Sequence, residues 1–311
     1  MISLEKLKEF REHILDLAIR GKLVDQRPEE GTAEDLYQQI QEEKQNLIKE
    51  GKLKKEKTLA PIEDDEIPFD IPENWKWVRW GNLSKFIQYG LNEPAKSSGE
   101  FKYVRISDIQ DGKVNWENTP YCDISSAEAK SYLLKSNDIL FARTGGTVGK
   151  SFLVENVPCD AVFAGYLIRT QCSDNVCPKY CKLFMESNLY WNQLRSGTVA
   201  TAQPNCNGTT LSKMMIPLPP LAEQKRIVAK VESYLSVIEK AEDLLKRKVD
   251  LDGQIKEKIL QMAIQGKLVE QRPEEGTAED LYQQIQEEKQ NLIKEGKLKK
   301  EKTLAPIEDD E

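Results

Sequence analysis

The segment GKLVDQRPEEGTAEDLYQQIQEEKQNLIKEGKLKKEKTLAPIEDDE runs from Gly21 to Glu66 and returns from Gly266 to Glu311, shifted by 245 positions with one change, Asp25 to Glu270. The likeness extends backward, with ILDLAIR at residues 14–20 against ILQMAIQ at residues 259–265. A repeat constrains a fold more than any local pattern, because whatever structure the segment adopts must serve twice. Two copies are too few to stack into a solenoid, so they bracket a different middle. Each bracket carries a helix start: Thr32 and Asp35 stand at capping-box spacing, and Leu36, Ile40 and Leu47 give an apolar stripe up to Gly51. Thr277, Asp280, Leu281, Ile285 and Leu292 repeat the pattern. The remainder, KLKKEKTLAPIEDDE, has no periodicity and is expected to be an extended or mobile arm. Each copy holds 8 basic and 13 acidic side chains, net −5, which suits either a solvated helix or a partner-docking surface.

From Pro220 to Gln265 the pattern is that of one long helix, with Pro220 suited to the first turn and Gly266 to the position just past the end. Ile227, Val231, Tyr234, Ile238, Leu245, Ile255 and Ile259 lie near a 3–4 spacing, the stripe of a coiled coil whose partner is another helix. Lys248 and Asp252 weaken the seam, and Gly253 costs ~1 kcal/mol relative to Ala. The N-terminal helix, with Leu4, Leu7, Phe10, Ile14 and Leu17, is one candidate partner; a second copy of the long helix is the other.

The middle, residues 74–219, mixes α and β. Apolar runs KYVRISDI, DILFAR, SFLVEN and AVFAGYLIRT are separated by Asp-Gly, Gly-Gly and Asn-rich turns, and CPKYCKLFMESNLYWNQLRSG reads as one helix. The expected fold class is α+β: one mixed α/β domain plus a long coiled-coil helix and flanking helical repeat segments. The expected divisions are an N-terminal helix packed on the spacer (1–20), the first repeat copy with a linker (21–73), the middle domain (74–219), the long helix (220–265) and the second copy (266–311).

Charge and cysteine usage narrow the chemistry. The net charge of −7 is unevenly placed: residues 74–219 hold 16 Lys+Arg against 12 Asp+Glu, net +4, and the rest holds 29 against 40, net −11. A mildly basic middle keeps nucleic acid open as a partner. The 6 cysteines all fall in the middle, with no CxxC pair, and His13 is the only histidine. A zinc site from Cys159, Cys172, Cys177 and Cys181 competes with the plainer reading of reduced, mostly buried thiols, and the second is preferred, so no metal and no cofactor are expected. No apolar run reaches the ~20 residues of a membrane helix, and the charged start lacks a signal peptide's apolar centre; a cytoplasmic location is expected.

One stretch tests for a nucleotide. GGTVGKS, residues 145–151, nearly spells a phosphate loop, but the position five before Gly149 is Thr144, and SFLVENV after Lys150 is β-prone, not a helix start. The glycines are better read as a tight strand-to-strand turn displaying Arg143, Thr144, Gly145, Gly146, Thr147 and Lys150. Hydroxyls and cations on one turn suit a nucleic-acid backbone or base edge. SGTVATAQPNCNGTT, residues 196–210, is a second polar segment, with Thr198, Thr201, Gln203, Asn205, Asn207 and Thr209 as candidates. On composition alone both remain ordinary polar loops.

The order of these parts decides more. NDILFARTGGTVGKS, then SGTVATAQPNCNGTTLSKMMIPLPPLAEQKRIV, then a long helix ending in GKLV, resembles the specificity subunits of Type I restriction-modification systems. IPENWKWVRWGNL, residues 71–83, resembles that family's entry into a target-recognition domain. The resemblance covers essentially the whole chain. It implies a non-catalytic subunit in which a target-recognition domain reads double-stranded DNA and a helical spacer sets distance. Methyltransferase subunits dock on such a protein, and restriction subunits join through the complex; S-adenosylmethionine and ATP chemistry belong to those partners. It further implies Gln88, Tyr89, Lys96 and Arg105 as weaker DNA-contact candidates. Family members usually carry two recognition domains, whereas this sequence has one. It therefore looks like a half-subunit, whose expected form is a homodimer reading two inverted half-sites. A coiled-coil scaffold, or a decoy that binds partner subunits without reading DNA, is the competing expectation.

Overall fold

The computed structural model describes residues 2–55, 57–110, 112–197 and 206–300. The chain divides into two compact units, Met1–Leu245 and Lys246–Glu311. The first opens with α1 (Leu4–Ile19), capped by the Ser3 hydroxyl. α2 (Ala33–Lys49) starts where the spacing predicts: Thr32 is its N-cap and accepts from Asp35 N at 3.2 Å. α1 buries Ile14, Leu15, Ala18 and Ile19, and α2 buries Ala33, Leu36 and Ile40. These side chains share one hydrophobic core with Trp75, Trp80, Tyr180 and Phe184 of the middle. The N-terminal helix, the first repeat copy and part of the middle therefore fold together.

The middle begins with β1 (Lys76–Arg79), α3 (Trp80–Leu83) and β2 (Ser84–Tyr89). Four short strands follow, β3 (Phe101–Val104), β4 (Ile109–Gln110), β5 (Lys113–Val114) and β6 (Tyr121–Cys122), then α4 (Ser126–Ala129). β7 (Asp138–Ala142), β8 (Ser151–Leu153), β9 (Ala161–Phe163) and β10 (Leu167–Cys172) lead into α5 (Pro178–Glu186) and α6 (Asn188–Gly197). α7 (Gly208–Lys213) and β11 (Met215–Leu218) complete it.

β2-β10-β7-β8 form an antiparallel sheet, and β6-β3-β9 form a second sheet in which β3 and β9 run parallel. β1 pairs antiparallel with β11, Lys76 opposite Leu218 and Arg79 opposite Met215, so the first and last strands of the middle meet. Trp80, fully buried behind that pair, stacks on Phe184 at 5.8 Å and donates its Nε1 to Thr170 Oγ1 at 3.1 Å. Arg79 reaches the other way. Its guanidinium donates to Ala60 O at 3.3 Å, Pro61 O at 3.0 Å, Lys213 O at 3.1 Å and Glu66 Oε2 at 2.7 Å, which holds the first copy's arm extended along the middle.

Two expectations change. CPKYCKLFMESNLYWNQLRSG is two helices: Ser187 is extended (φ −76°, ψ 156°), and its hydroxyl donates to Phe184 O at 2.7 Å and accepts from Tyr190 N at 3.3 Å. A single side chain thus closes one helix and opens the next. AVFAGYLIRT is two strands in different sheets, divided at Gly165, where a Cβ would lie 2.0 Å from Asn92 Oδ1.

α8 (Leu221–Ile264) is the long helix. Ile227, Val231 and Ile238 are buried in the first unit's core and Leu245 packs against it; Tyr234 meets Phe10 of α1 edge-on at 6.4 Å. This half of the stripe takes the shorter of its two expected partners and is not open to a second long helix. Arg226 locks it to the first copy with two bonds to the Glu30 carboxylate, at 2.7 and 2.8 Å, and Gln26 donates to Glu223 at 2.8 Å.

In the second unit α8 continues through Gly253, and α9 (Ala278–Lys294) starts at Thr277 with the cap of α2. The apolar stripe here is bare: Ile255, Ile259 and Ile285 are 46–49% exposed and Leu281 58%. Among the described residues no helix is long and apolar enough to cross a membrane.

The Arg226 hydrogen bonds hold the Glu30 carboxyl below its ordinary 4.5, so its contribution is present above that range and is lost as pH falls through it. Glu30→Gln is expected to lower stability by roughly 1 kcal/mol at neutral pH, the gap closing on acidification. Glu275→Gln, in the second copy, should change stability of the dilute chain by less than ~0.5 kcal/mol. Urea unfolding at pH 7 and pH 3.5 measures both.

Candidate nucleic-acid interface

Strand register brings the candidate segments to one end of the four-stranded sheet. Tyr89, at the end of β2, lies opposite Ile168, and Leu167 of β10 lies opposite Ala142 at the end of β7. The glycine turn leaves the sheet here, between antiparallel β7 and β8, as a strand-to-strand connection and not as the mouth of a helix. Gly145 (φ +77°) and Gly149 (φ +90°) adopt left-handed conformations. Gly149 is also needed for space: a Cβ there would lie 2.2 Å from Leu194 and 2.6 Å from Trp191, and its carbonyl accepts from Tyr190 OH at 2.7 Å. The turn is thereby pinned to α6, with Gly146 and Lys150 exposed at its rim and Thr144 and Thr147 half-buried.

Backbone hydrogen bonds stitch two neighbours to this turn, and the Tyr89 hydroxyl holds a third beside it. Arg143 N donates to Tyr166 O at 3.0 Å, and Cys206 N donates to Arg143 O at 2.9 Å. Gly208 N, at the start of α7, donates to Tyr89 OH at 2.9 Å. The Arg143 guanidinium lies over the Tyr89 ring at 4.8 Å, with its Nε buried and without a hydrogen-bond partner among the described residues. Tyr89, Arg143, Tyr166 and the 206–209 segment thus surround one surface of exposed aromatic, cationic and hydroxyl groups. Thr209 is exposed on it; Asn207 caps α7, its Oδ1 accepting from Thr210 N at 2.8 Å. Thr198, Thr201, Gln203 and Asn205 lie outside the described residues.

Three candidates are engaged inside the chain. Gln88 donates to Ser131 O at 3.1 Å and accepts from Arg169. Arg105 makes two bonds to the Asp108 carboxylate, at 2.8 and 3.0 Å, and Lys96 pairs with Asp123 at 2.6 Å beside the β6 strand. The last two belong to the part of the domain around β3 and β6, not to the sheet end that gathers Tyr89 and Arg143.

Sequence reasoning missed two residues. Tyr166 is 67% exposed in the turn between β9 and β10; a Gly-Tyr pair in the middle of an apolar run was its available signal. Arg169 has none, since its role depends on where strands pair. It bridges Leu133 O at 2.6 Å, Ser131 O at 2.8 Å and Asp138 at 3.3 Å, between the rings of Phe86 and Phe163. Burial pushes the Asp138 carboxyl up and the Arg169 guanidinium down, each opposed by the charge of the other. The network fixes Gln88 and the 131–138 loop behind the interface.

Burial pushes the Cys206 thiol up to about 11, which removes it as a nucleophile at neutral pH. Cys122, Cys172 and Cys181 are also buried, Cys177 is half-buried and Cys159 exposed. Among the described residues no three or more His, Cys, Asp or Glu side chains are grouped to hold a metal ion.

Residues 72–247, more than half the chain, match the family described as Type I restriction modification DNA specificity domain. The chain is 30% identical to the Type I restriction enzyme EcoAI specificity subunit of Escherichia coli and 30% identical to the EcoEI specificity subunit of the same organism. Both matches cover 100% of this chain and 60% of the relative, so the chain spans about three-fifths of their length. It is also similar, at TM-score 0.55 and 17% identity, to a chain in a structure concerned with complex assembly and conformational transition of the type I R-M system. That match covers 85% of this chain and 58% of the other, and it supports the α+β fold with its long helix.

Gly149→Ala is expected to destabilise the domain by roughly 2–4 kcal/mol through left-handed strain and overpacking on Trp191. Gly146→Ala, where no atom of the described residues lies within 4 Å, should stay within ~0.5 kcal/mol of the parent. Thermal unfolding of the two variants side by side checks the pair.

Proposed function

This chain belongs to the Type I restriction-modification DNA specificity family, and from that premise we propose that it reads a short sequence in double-stranded DNA for partner subunits that carry the chemistry. The observation that supports this most is the convergence of Tyr89, the Arg143–Lys150 turn, Tyr166 and the start of α7 on one sheet end. Arg143, its guanidinium lying over the Tyr89 ring, would fork onto a base edge in the major groove through its terminal nitrogens. Lys150, exposed on the rim, supplies charge to the phosphate backbone, and Thr144, Thr147 and Thr209 supply hydroxyls. Thr198, Thr201, Gln203 and Asn205, which precede Cys206 in sequence, add hydroxyls and amides of the same kind.

Assembly follows from the same premise. One recognition domain reads one half-site, so two copies of the chain would read two inverted half-sites at fixed spacing. Pairing of long helices would then rest on the bare stretch of α8 from Leu244 to Ile259, because the nearer stripe is already used against α1. Methyltransferase subunits dock on the chain, and restriction subunits join through that complex. A recognition domain of net charge +4 releases few counterions, so tight binding depends on these partners.

Selection of bound duplexes from a random pool, in the presence of the methyltransferase subunit, is expected to enrich one short motif, inverted at fixed spacing. Arg143→Ala should relax one position of that motif by ~1–3 kcal/mol. Lys150→Ala should weaken binding to all sequences alike and lower the salt dependence. Absence of enrichment with the partner bound and the chain folded would remove DNA reading and leave a scaffold.

A further inference from the structure

The two repeat copies fold alike but are buried differently. Gly21 and Gly266 have φ of +68° and +66°, and Gly31 and Gly276 both +82°. Gln26 donates to Gly21 O at 3.1 Å, and Gln271 donates to Gly266 O at 3.1 Å. The end of α8 followed by α9 is therefore built as α1 followed by α2, without the neighbours that cover the first copy. Ile14, Leu15, Ile19 and Leu36 are at most 6% exposed, whereas Ile259, Leu260, Ile264 and Leu281 are 46–88% exposed. Pro72 and Trp75 sit over Gly21, where an added Cβ would meet Pro72 at 2.5 Å; over Gly266, among the described residues, only Gln271 comes within 4 Å of such an atom.

The seat that covers the first copy is specific. Asn74 O accepts from Ala33 N at 2.8 Å, Lys76 donates to Glu34 at 2.7 Å, and Asn82 donates to Tyr37 OH at 3.1 Å. Gln41 donates to Asn82 O at 3.1 Å, Lys85 pairs with Glu43 at 3.1 Å, and Arg226 clasps Glu30. Each of these repeat side chains recurs in the second copy: Glu275, Glu279, Tyr282, Gln286 and Glu288 stand for Glu30, Glu34, Tyr37, Gln41 and Glu43. The single change, Asp25 to Glu270, falls where Arg226 donates to the backbone carbonyl at 3.0 Å and meets the side chain only through its negative charge. From Gly266 onward the second copy thus keeps each of these side chains, and at its one change Glu270 keeps the negative charge of Asp25.

We propose that the second copy is a docking surface for the Trp75 seat of another copy of this chain, where it exchanges with that chain's first copy. Over Gly21 to Lys49 and Gly266 to Lys294, what one copy gives up on leaving the seat the other recovers on entering it, so this part of the exchange is close to neutral and effective concentration decides it. In the dilute chain the tethered first copy holds the seat. Weakening the first copy, or raising concentration, shifts the seat to the second copy of a neighbour. The exchange needs neither DNA nor pairing of α8.

Light scattering on the full chain across a concentration series tests this. Ile40→Ala weakens only the first copy and is expected to lower the dimer dissociation constant by roughly tenfold or more. Tryptophan emission of that dimer should match the parent, because the seat is refilled. Adding Ile285→Ala should return the chain to the parent's dissociation constant. If Ile40→Ala dimerises no more than the parent, the proposal is overturned. If Ile285→Ala leaves the Ile40→Ala dimer intact, the proposal is equally overturned and pairing along α8 accounts for the dimer. Should Ile40→Ala lose its fold, Glu34→Lys, which opposes Lys76 without removing core, is read in the same series against Glu34→Lys/Glu279→Lys. Dimer in the first and none in the second is expected, and equal behaviour overturns the exchange.

Discussion

The pairing of β1 with β11 is the contact on which the rest depends. It joins the first and last strands of the middle, so everything between them is one insertion held at its neck. Trp80 follows β1 directly into the core, and Arg79, one residue earlier, takes hold of the arm that precedes the strand. α8 leaves from the other strand of the pair, after Pro219 and Pro220, and lies against the first repeat copy through Arg226 and Glu30. Two strands of four residues thus decide that the N-terminal helix, the first repeat and the spacer helix meet at one place. Separately each is a marginal helix; together they bury a common face.

Behind the candidate interface, a buried charge pair acts as frame. Asp138 and Arg169 are each less than a tenth exposed, and such a pair adds little net stability after desolvation. Its structural yield is geometric: one guanidinium gathers β2, β10, β7 and the loop before β7, and the strands that end beside the glycine turn share it. Gln88 is part of that frame, which is why this weaker DNA-contact candidate is engaged inside the chain.

Much of this was legible in the sequence where the cause is local. Thr32 with Asp35 predicts a helix start because a cap is satisfied within one turn, and the structure has it in both copies. The glycine turn was legible because Gly145 and Gly149 answer to backbone conformation, and a phosphate loop was excluded by spacing together with the β-prone run after Lys150. What could not be read depends on residues far apart. Ser187 divides a helix through a hydroxyl that has two uses at once. Arg105 has a carboxylate three residues on, a pairing that becomes decisive only once the local turn forms. Which of its two expected partners the α8 stripe takes, the stripe itself does not state: Tyr234 meets Phe10 of α1, and Ile227, Val231 and Ile238 are buried in the first unit's core. The repeat is the sharpest case, since a nearly invariant string of residues is core in one place and surface in another.

The stitching of the interface has a consequence for how such a surface changes over generations. Arg143 N to Tyr166 O, Cys206 N to Arg143 O and the bonds across the glycine turn run between main-chain atoms, which every residue except proline can supply. Side chains at positions 143, 144, 147, 166 and 209 can therefore be rewritten while the loops keep their places. Tyr89 stands apart, because its hydroxyl rather than its backbone receives Gly208 N and its ring carries Arg143. The surface behaves like movable type locked in a forme: letters are exchangeable, and Tyr89 is one of the wedges that keep the line straight.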